Sequence, residues 1–220
     1  MKRILFYSSV NSLELFKTQK FYQIDISILK DLGYDVLLSN RIFDSLLFWK
    51  YDILFSYFYR YSFFAALLAK CFGKKTYFTG GIDSLDSDYA SAFNYKIQAL
   101  FFKLCYWVAD SCIIVSQSDL KNIFKVSSLK KKLSYSEHVI NTKLFIADVP
   151  KEKIFTSIVW MGDEGNVVRK GVDKALQIFA ELKKIPEFVD YRFVIIGRKG
   201  EGEVLVRSII CLLYTSDAAD

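Results

Sequence analysis

Residues 159–182 read VWMGDEGNVVRKGVDKALQIFAEL, and residues 191–202 read YRFVIIGRKGEG. The first stretch takes up the end of an apolar run, 154–160, of strand length. A glycine-bearing loop follows, then a basic pair, Arg169 and Lys170, and then Gly171. Val172, Ala175, Leu176, Phe179 and Leu182 next fall on one stripe of a helix over 172–183. The second stretch supplies a strand over 192–196 that ends at Gly197. Strand, helix and strand in this order make a parallel pair with a right-handed crossover. A helix start exposes unpaired N–H groups and partial positive charge, which favours phosphate. A lysine there adds a full charge, and glycines admit close backbone approach. The same basic pair also reads as an ordinary solvated charge run.

The alternation extends toward the amino terminus. Strands are expected over 4–8, 36–38, 53–57, 75–79 and 111–115. Between them, Phe21, Ile24, Ile28 and Leu32 recur at helical spacing, with Gly33 where a left-handed cap residue is wanted. Further helices are expected over 62–71 and 88–107, and a short one from Ser118 and Asp119. The pattern pauses at 148–153 around Pro150, which sets a domain boundary near residue 149. The fold class is α/β: a doubly wound parallel sheet over 1–148, then the start of a second Rossmann-like domain over 149–210. Sites in such sheets lie beyond the carboxyl ends of the strands.

The chain has 220 residues, 52% hydrophobic and 25% charged, with a net charge of +6, which supports a packed core and excludes wholesale disorder. Lysine clusters at 130–132 and 183–184 feed a basic face, but no nucleic-acid-binding motif accompanies them, and no nucleic-acid partner is expected. The four cysteines lack metal-ligand spacing and sit in apolar runs, as small hydrophobes do. His138 is the only histidine, so no His-paired metal site or two-histidine mechanism is available, and a lone histidine is more often structural. No GxGxxG follows the first strand, which speaks against a nicotinamide enzyme. The amino terminus carries no signal-peptide core, so a cytoplasmic protein is expected. Residues 46–72 are very apolar, yet Lys50, Asp52, Arg60 and Lys70 interrupt them. A buried strand and a core helix fit better than a membrane span, with peripheral membrane contact left open.

The last ten residues, CLLYTSDAAD, resemble the translated read-through of a transposase sequencing adapter. That resemblance implies native sequence ending near Ile210 and a gene fragment. Setting aside Asp217 and Asp220 moves the net charge from +6 to +8.

The stretches 159–182 and 191–202 resemble family 4 of the glycosyltransferases, a GT-B architecture of two Rossmann-like domains. There a strand–Gly–loop–Lys-Gly–helix unit opens the second domain, and its lysine contacts the donor diphosphate. The matching positions are Gly162, Lys170, Gly171 and Gly197. Asp163 stands where the family often has arginine, and Arg169 is the candidate substitute. TYFTGGIDSL, 76–85, resembles the segment with a histidine before Gly-x-Asp: Gly81 and Asp83 match, and Gly80 fills the histidine slot. Asp83 reads equally as a turn-ordering residue. Ala109, Asp110 and Ser116 match the last strand and helix of the first domain, and His138, Ile140, Asn141 and Phe145 match a following segment loosely. SSVNSLELF, 8–16, replaces the family's glycine-rich loop, so Ser8, Ser9, Asn11 and Ser12 either bind an acceptor or, more in keeping with residue preference, cap the long helix.

The resemblance implies a nucleotide-sugar donor, a glycan or lipid-linked acceptor, retention of configuration, and no cofactor or metal. Lys170 would stabilise the leaving diphosphate electrostatically, with backbone near Gly162 and Gly171 assisting. The acceptor would lie by Ser9, Asn11, Gly81 and Asp83. The family's paired-glutamate segment would fall beyond this chain, so the fragment is expected not to turn over donor. The competing expectation is a Rossmann-like binding or interaction domain without catalysis.

Overall fold

A computed structural model describes residues 1–87, 90–128, 130–140, 142 and 150–215. The chain divides into two compact units, Met1–Leu144 and Phe145–Asp220. The boundary expected near residue 149 lies outside the described residues, as do Asn141, Phe145 and the chain beyond 215.

In the first unit six parallel strands lie in the order β2-β1-β3-β4-β5-β6. They are β1 (Arg3–Ser8), β2 (Asp35–Ser39), β3 (Ile53–Tyr57), β4 (Lys75–Thr79), β5 (Ser111–Ile114) and β6 (Leu133–Tyr135). The helices are α1 (Leu15–Thr18), α2 (Lys20–Asp31), α3 (Ser62–Cys71), α4 (Ala92–Val108) and α5 (Gln117–Val126). From β1 the chain steps one way to β2, then crosses back and steps the other way from β3 to β6. Right-handed crossovers put helices of opposite steps on opposite faces. So α1 and α2 cover one face, where Ile4, Phe6, Phe55 and Tyr57 pack with Phe16 and Tyr22. The other face packs Leu5, Tyr7, Leu54, Phe78, Cys112 and Ile114 against α3, α4 and α5. Aromatic rings fill both layers, as in the stacked pairs Phe6–Phe55 at 5.6 Å and Tyr59–Phe78 at 5.7 Å.

Local chemistry fixes the element ends. Gly33 (φ +83) closes α2: its N–H reaches Lys30 O and the Tyr34 N–H reaches Leu29 O, a double closure that a side chain would strain. Ser91 caps α4 and Ser116 caps α5. Helix α4 therefore starts at Ala92; Asp88, where it was expected, lies outside the described residues. The apolar run 46–72 resolves into short 3-10 turns, β3 and α3, and no helix among the described residues is long and apolar enough to cross a membrane. The basic clusters are partly structural. Lys132 donates to the carbonyls of Tyr106, Trp107 and Ala109, closing α4, and Lys183 donates to Val189 O and Tyr191 O. Burial raises the thiols of Cys105 and Cys112, the latter to about 12, which keeps them inert.

The second unit pairs β7 (Ile154–Ile158) with β8 (Arg192–Ile196) in parallel. Helices α6 (Glu164–Arg169), α7 (Val172–Lys183) and α8 (Gly202–Thr215) pack on it through Val159, Met161, Val167, Val172, Leu176 and Val206. Two of these helices have no counterpart among the expected elements. Asp163 accepts from the Asn166 N–H and starts α6 inside what reads as a loop, and α8 continues past Ile210 to Thr215.

Candidate functional site

The topological switch of the first sheet lies between β1 and β3, whose following segments leave toward opposite faces. Crevices open at such points, beyond the carboxyl ends of the strands. One of about 650 Å³ opens there. Ser9 and Asn11 line it from the loop after β1, Asn40 to Asp44 from the loop after β2, and Tyr61 from the turn after β3. Asn40 Nδ2 donates to Val10 O at 3.0 Å, tying the first two loops together. Ser39 Oγ donates to Asp44 at 2.6 Å and accepts from the Arg41 N–H at 3.0 Å, bracing the second loop.

Ser9 and Asn11 thus stand exposed at the crevice. Ser8 departs from both of its expected roles. It is fully buried and shares a 2.7 Å hydrogen bond with Tyr22. Ser12 Oγ accepts from the Glu14 N–H at 3.2 Å, and neither α1 nor α2 has a side-chain cap.

After β4 the chain turns sharply. Gly80 has φ +104, and a Cβ there would stand 3.2 Å from the Phe58 and Tyr57 rings. The Phe58 N–H donates to Thr79 O at 2.8 Å, holding the neighbouring turns together. A histidine in this slot would be strained by its backbone and crowded by both rings. Gly81 follows, half-buried, and Asp83 opens a 3-10 turn, Asp83–Leu85. Asp119 braces this turn: its buried carboxylate accepts the Ile82 N–H at 3.3 Å. In the sequence Asp119 is legible only as a helix-start residue.

A second cavity, of about 240 Å³, lies on the α2 face beside that helix. Asp25, His138 and Glu137 supply its charge-bearing groups, among walls such as Ile28, Phe55 and Ile113. Tyr57 donates to Asp25. Burial raises the Asp25 carboxyl above its usual range, against the Tyr57 hydrogen bond and the attraction of His138. Asp25 lies four residues after Phe21 and three before Ile28, where a lone aspartate in the sequence reads as a solvated charge. Leu32 is 68% exposed and Ile28 is 41% exposed, whereas Tyr22, Ile26 and Leu29 pack inward. Asp25 belongs to that inward face.

In the second unit, Lys170 ends α6 and precedes Gly171 (φ +66), which opens α7. Lys170 is exposed, with no ion pair among the described residues; Arg169 donates to Asn166 Oδ1 at 3.2 Å. The first turn of α7 also carries Asp173, a charge of the sign that repels phosphate. Gly162 and Gly197 have steric reasons of their own. A Cβ on Gly197 would stand 1.7 Å from Val159 O, and one on Gly162 would stand 2.7 Å from the Trp160 ring. A Cβ on Gly200 would stand 2.4 Å from Met161 O, and one on Gly202 would stand 2.5 Å from Asp163 O. These glycines let the loops after β7 and β8 run in contact, joined by Met161 N–H to Arg198 O and Gly202 N–H to Met161 O. Arg198 and Lys199 follow Gly197 in the same loop, with Lys199 3.5 Å from the Glu203 carboxylate. No cluster of three or more His, Cys, Asp or Glu suited to a metal occurs among the described residues.

No family model matches the chain. No curated protein matches it either. Among solved structures it is similar to Anabaena HepE (Alr3699) in complex with UDP, at TM-score 0.58 and 11% identity, covering 98% of this chain and 66% of that one. HepE with UDP and glucose gives TM-score 0.58 at 10% identity, over 99% and 66% of the two chains. Acinetobacter baumannii MurG follows at TM-score 0.45 and 12% identity, over 100% and 64%, a likeness too loose to carry weight. The chain thus spans just under two thirds of the length of HepE. The expected α/β, GT-B-type fold is borne out: a doubly wound parallel sheet followed by a second parallel β–α–β unit.

Proposed function

We propose that this chain is part of a glycosyltransferase that moves a sugar from a nucleotide diphosphate to an acceptor hydroxyl. The observation that carries the reading is Lys170, exposed before the left-handed Gly171 that opens α7, in a fold shared with the UDP-binding HepE. In the reaction, the bond from the sugar's anomeric carbon to the diphosphate oxygen breaks, and the acceptor oxygen bonds to that carbon. The acceptor's proton leaves with the departing diphosphate. Lys170, with Arg169, offsets the charge that grows on the diphosphate. Asp173 argues against phosphate resting on the first turn of α7, so Lys170 would hold it from the preceding turn. Backbone at Gly162, Gly171 and Gly197 belongs to this donor side, and Ser9, Asn11, Gly81 and Asp83 to the acceptor side. The reading includes retention of configuration, no metal or cofactor, a glycan or lipid-linked acceptor, and work in the cytoplasm with peripheral membrane contact. Since the chain spans 66% of HepE, turnover is assigned to a longer protein.

The test is calorimetric titration of the 220-residue chain with UDP. Weak, salt-sensitive binding is expected, falling about tenfold in Lys170→Ala, the worth of one charge-assisted contact. Equal affinity in the variant would remove Lys170 from the donor site. The competing reading, a binding domain without catalysis, gains from Gly80, whose backbone disfavours the family's histidine. A longer version of the gene that binds UDP-sugar but transfers nothing would favour it.

A further inference from the structure

Tyr7, on β1, is 1% exposed, and its hydroxyl has no hydrogen-bond partner among the described residues. Its registered neighbour on β3, Ser56, is fully buried with the same defect. An unpaired buried hydroxyl costs on the order of 1–3 kcal/mol, so such groups need an explanation. Tyr7 lines the crevice at the β1–β3 switch. The crevice's 650 Å³ falls in the size range of small-molecule sites, about 300–1,000 Å³. A neighbouring depression of about 590 Å³ shares Asn11, Asn40, Arg41 and Asp44 with it.

The lining has a definite chemistry. Phe43 and Tyr61 are 76% and 54% accessible, aromatic rings suited to the C–H face of a sugar ring, with the Arg60 guanidinium 5.6 Å over the Tyr61 ring. Tyr7, Ser9 and Asn11 supply both donors and acceptors for ring hydroxyls. Asp44 is held by Ser39. The Arg41 side chain is exposed and makes no ion pair among the described residues, so its planar fork is available to an anion.

We infer that the β1–β3 crevice binds a sugar ring carrying an anionic group, with the Tyr7 hydroxyl as its buried hydrogen-bonding floor and Arg41 facing the charge. This rests on the transferase reading only for the ligand's role as acceptor, since binding here requires no donor.

The 220-residue chain would be titrated, without nucleotide, with glucuronate, glucose 6-phosphate, glucose and inorganic phosphate, by amide-shift NMR. The expected result is millimolar binding of the two charged sugars, about tenfold tighter than glucose, with shifts in the loops after β1 and β2. Arg41→Gln should reduce both charged sugars to the affinity of glucose. Tyr7→Phe should weaken all three sugars about fivefold while leaving the melting temperature unchanged or raised, because it deletes an unpaired buried hydroxyl. Three outcomes overturn the inference: glucose binding as tightly as the charged sugars, phosphate as tightly as glucose 6-phosphate, or no saturation below about 50 mM. A Tyr7→Phe chain that melts lower yet binds unchanged would show a purely structural tyrosine and overturn it too. Failure here leaves the UDP titration intact, because Lys170 lies in the other unit.

Discussion

Asp25 shows what a single residue hides in a sequence. Read at helical spacing, α2 offers Phe21, Ile24 and Ile28 as its apolar stripe, and Asp25, four residues after Phe21 and three before Ile28, sits on that stripe as a lone charge that reads as solvated. The folded chain shifts the buried side toward Tyr22, Ile26 and Leu29 while Phe21 stays against the core, and Tyr22 finds a partner in buried Ser8. No local pattern announces a contact between residues fourteen apart. The consequence is a carboxyl kept above its ordinary range by burial. A raised carboxyl favours the folded state when protonated. Its contribution is whole below the ordinary value of 3.8 and is lost as pH rises through the raised value. Asp25→Asn should therefore match the parent in stability near pH 3 and exceed it at pH 7, in thermal melts. A difference independent of pH would show that the carboxyl is not the cause. Gly197 teaches a related lesson. Its glycine is legible, but the reason is not: Val159 O occupies the place of a side chain. Gly197→Ala should cost roughly 3 kcal/mol or more in urea unfolding, whether or not nucleotide is present, as an overpacked backbone contact does.

At the scale of elements, legibility followed length and periodicity. Strands β3, β4 and β8 and helices α3 and α7 are readable to within a residue because apolar runs and caps agree. Strand β6 has three residues and helix α6 has six, too few to show a period, and each is fixed by neighbours: β6 by pairing with β5, α6 by the Asp163 cap. The turn after β4 was legible in its glycines but not in its geometry. With φ +104 at Gly80 and rings against it, this turn is shaped around a missing side chain. A histidine placed here should thus harm the turn. Gly80→His should lower stability by about 1–3 kcal/mol, the usual cost of a side chain in a glycine conformation. Chemical denaturation of the variant beside Gly80→Ala separates backbone strain, common to both, from ring crowding, which only histidine adds in full. Unchanged stability in both would mean the loop has another conformation within easy reach.

The whole molecule joins two units of unequal strength. The first has six strands and two buried clusters that hold twenty and six residues among those described. The second has two strands and one cluster of six. Its sheet leaves the registered pair Ile158 and Ile196 80% and 52% exposed, where a covered parallel sheet would bury both. Two-stranded sheets stand alone poorly, and here α6, α7 and α8 supply most of the packing. Opening the second unit should therefore require less free energy than opening the first. In hydrogen exchange followed by mass spectrometry, peptides from β7, β8 and α8 should exchange before those from β1, β3 and α4. Thermal unfolding should show two transitions, the lower one absent from a chain that lacks the second unit. If all these peptides exchange together in a single cooperative event, the units are energetically one body. In that case the stability change in Gly197→Ala would spread into β1 and β3, and a binding effect of Lys170 could no longer be assigned to its own unit.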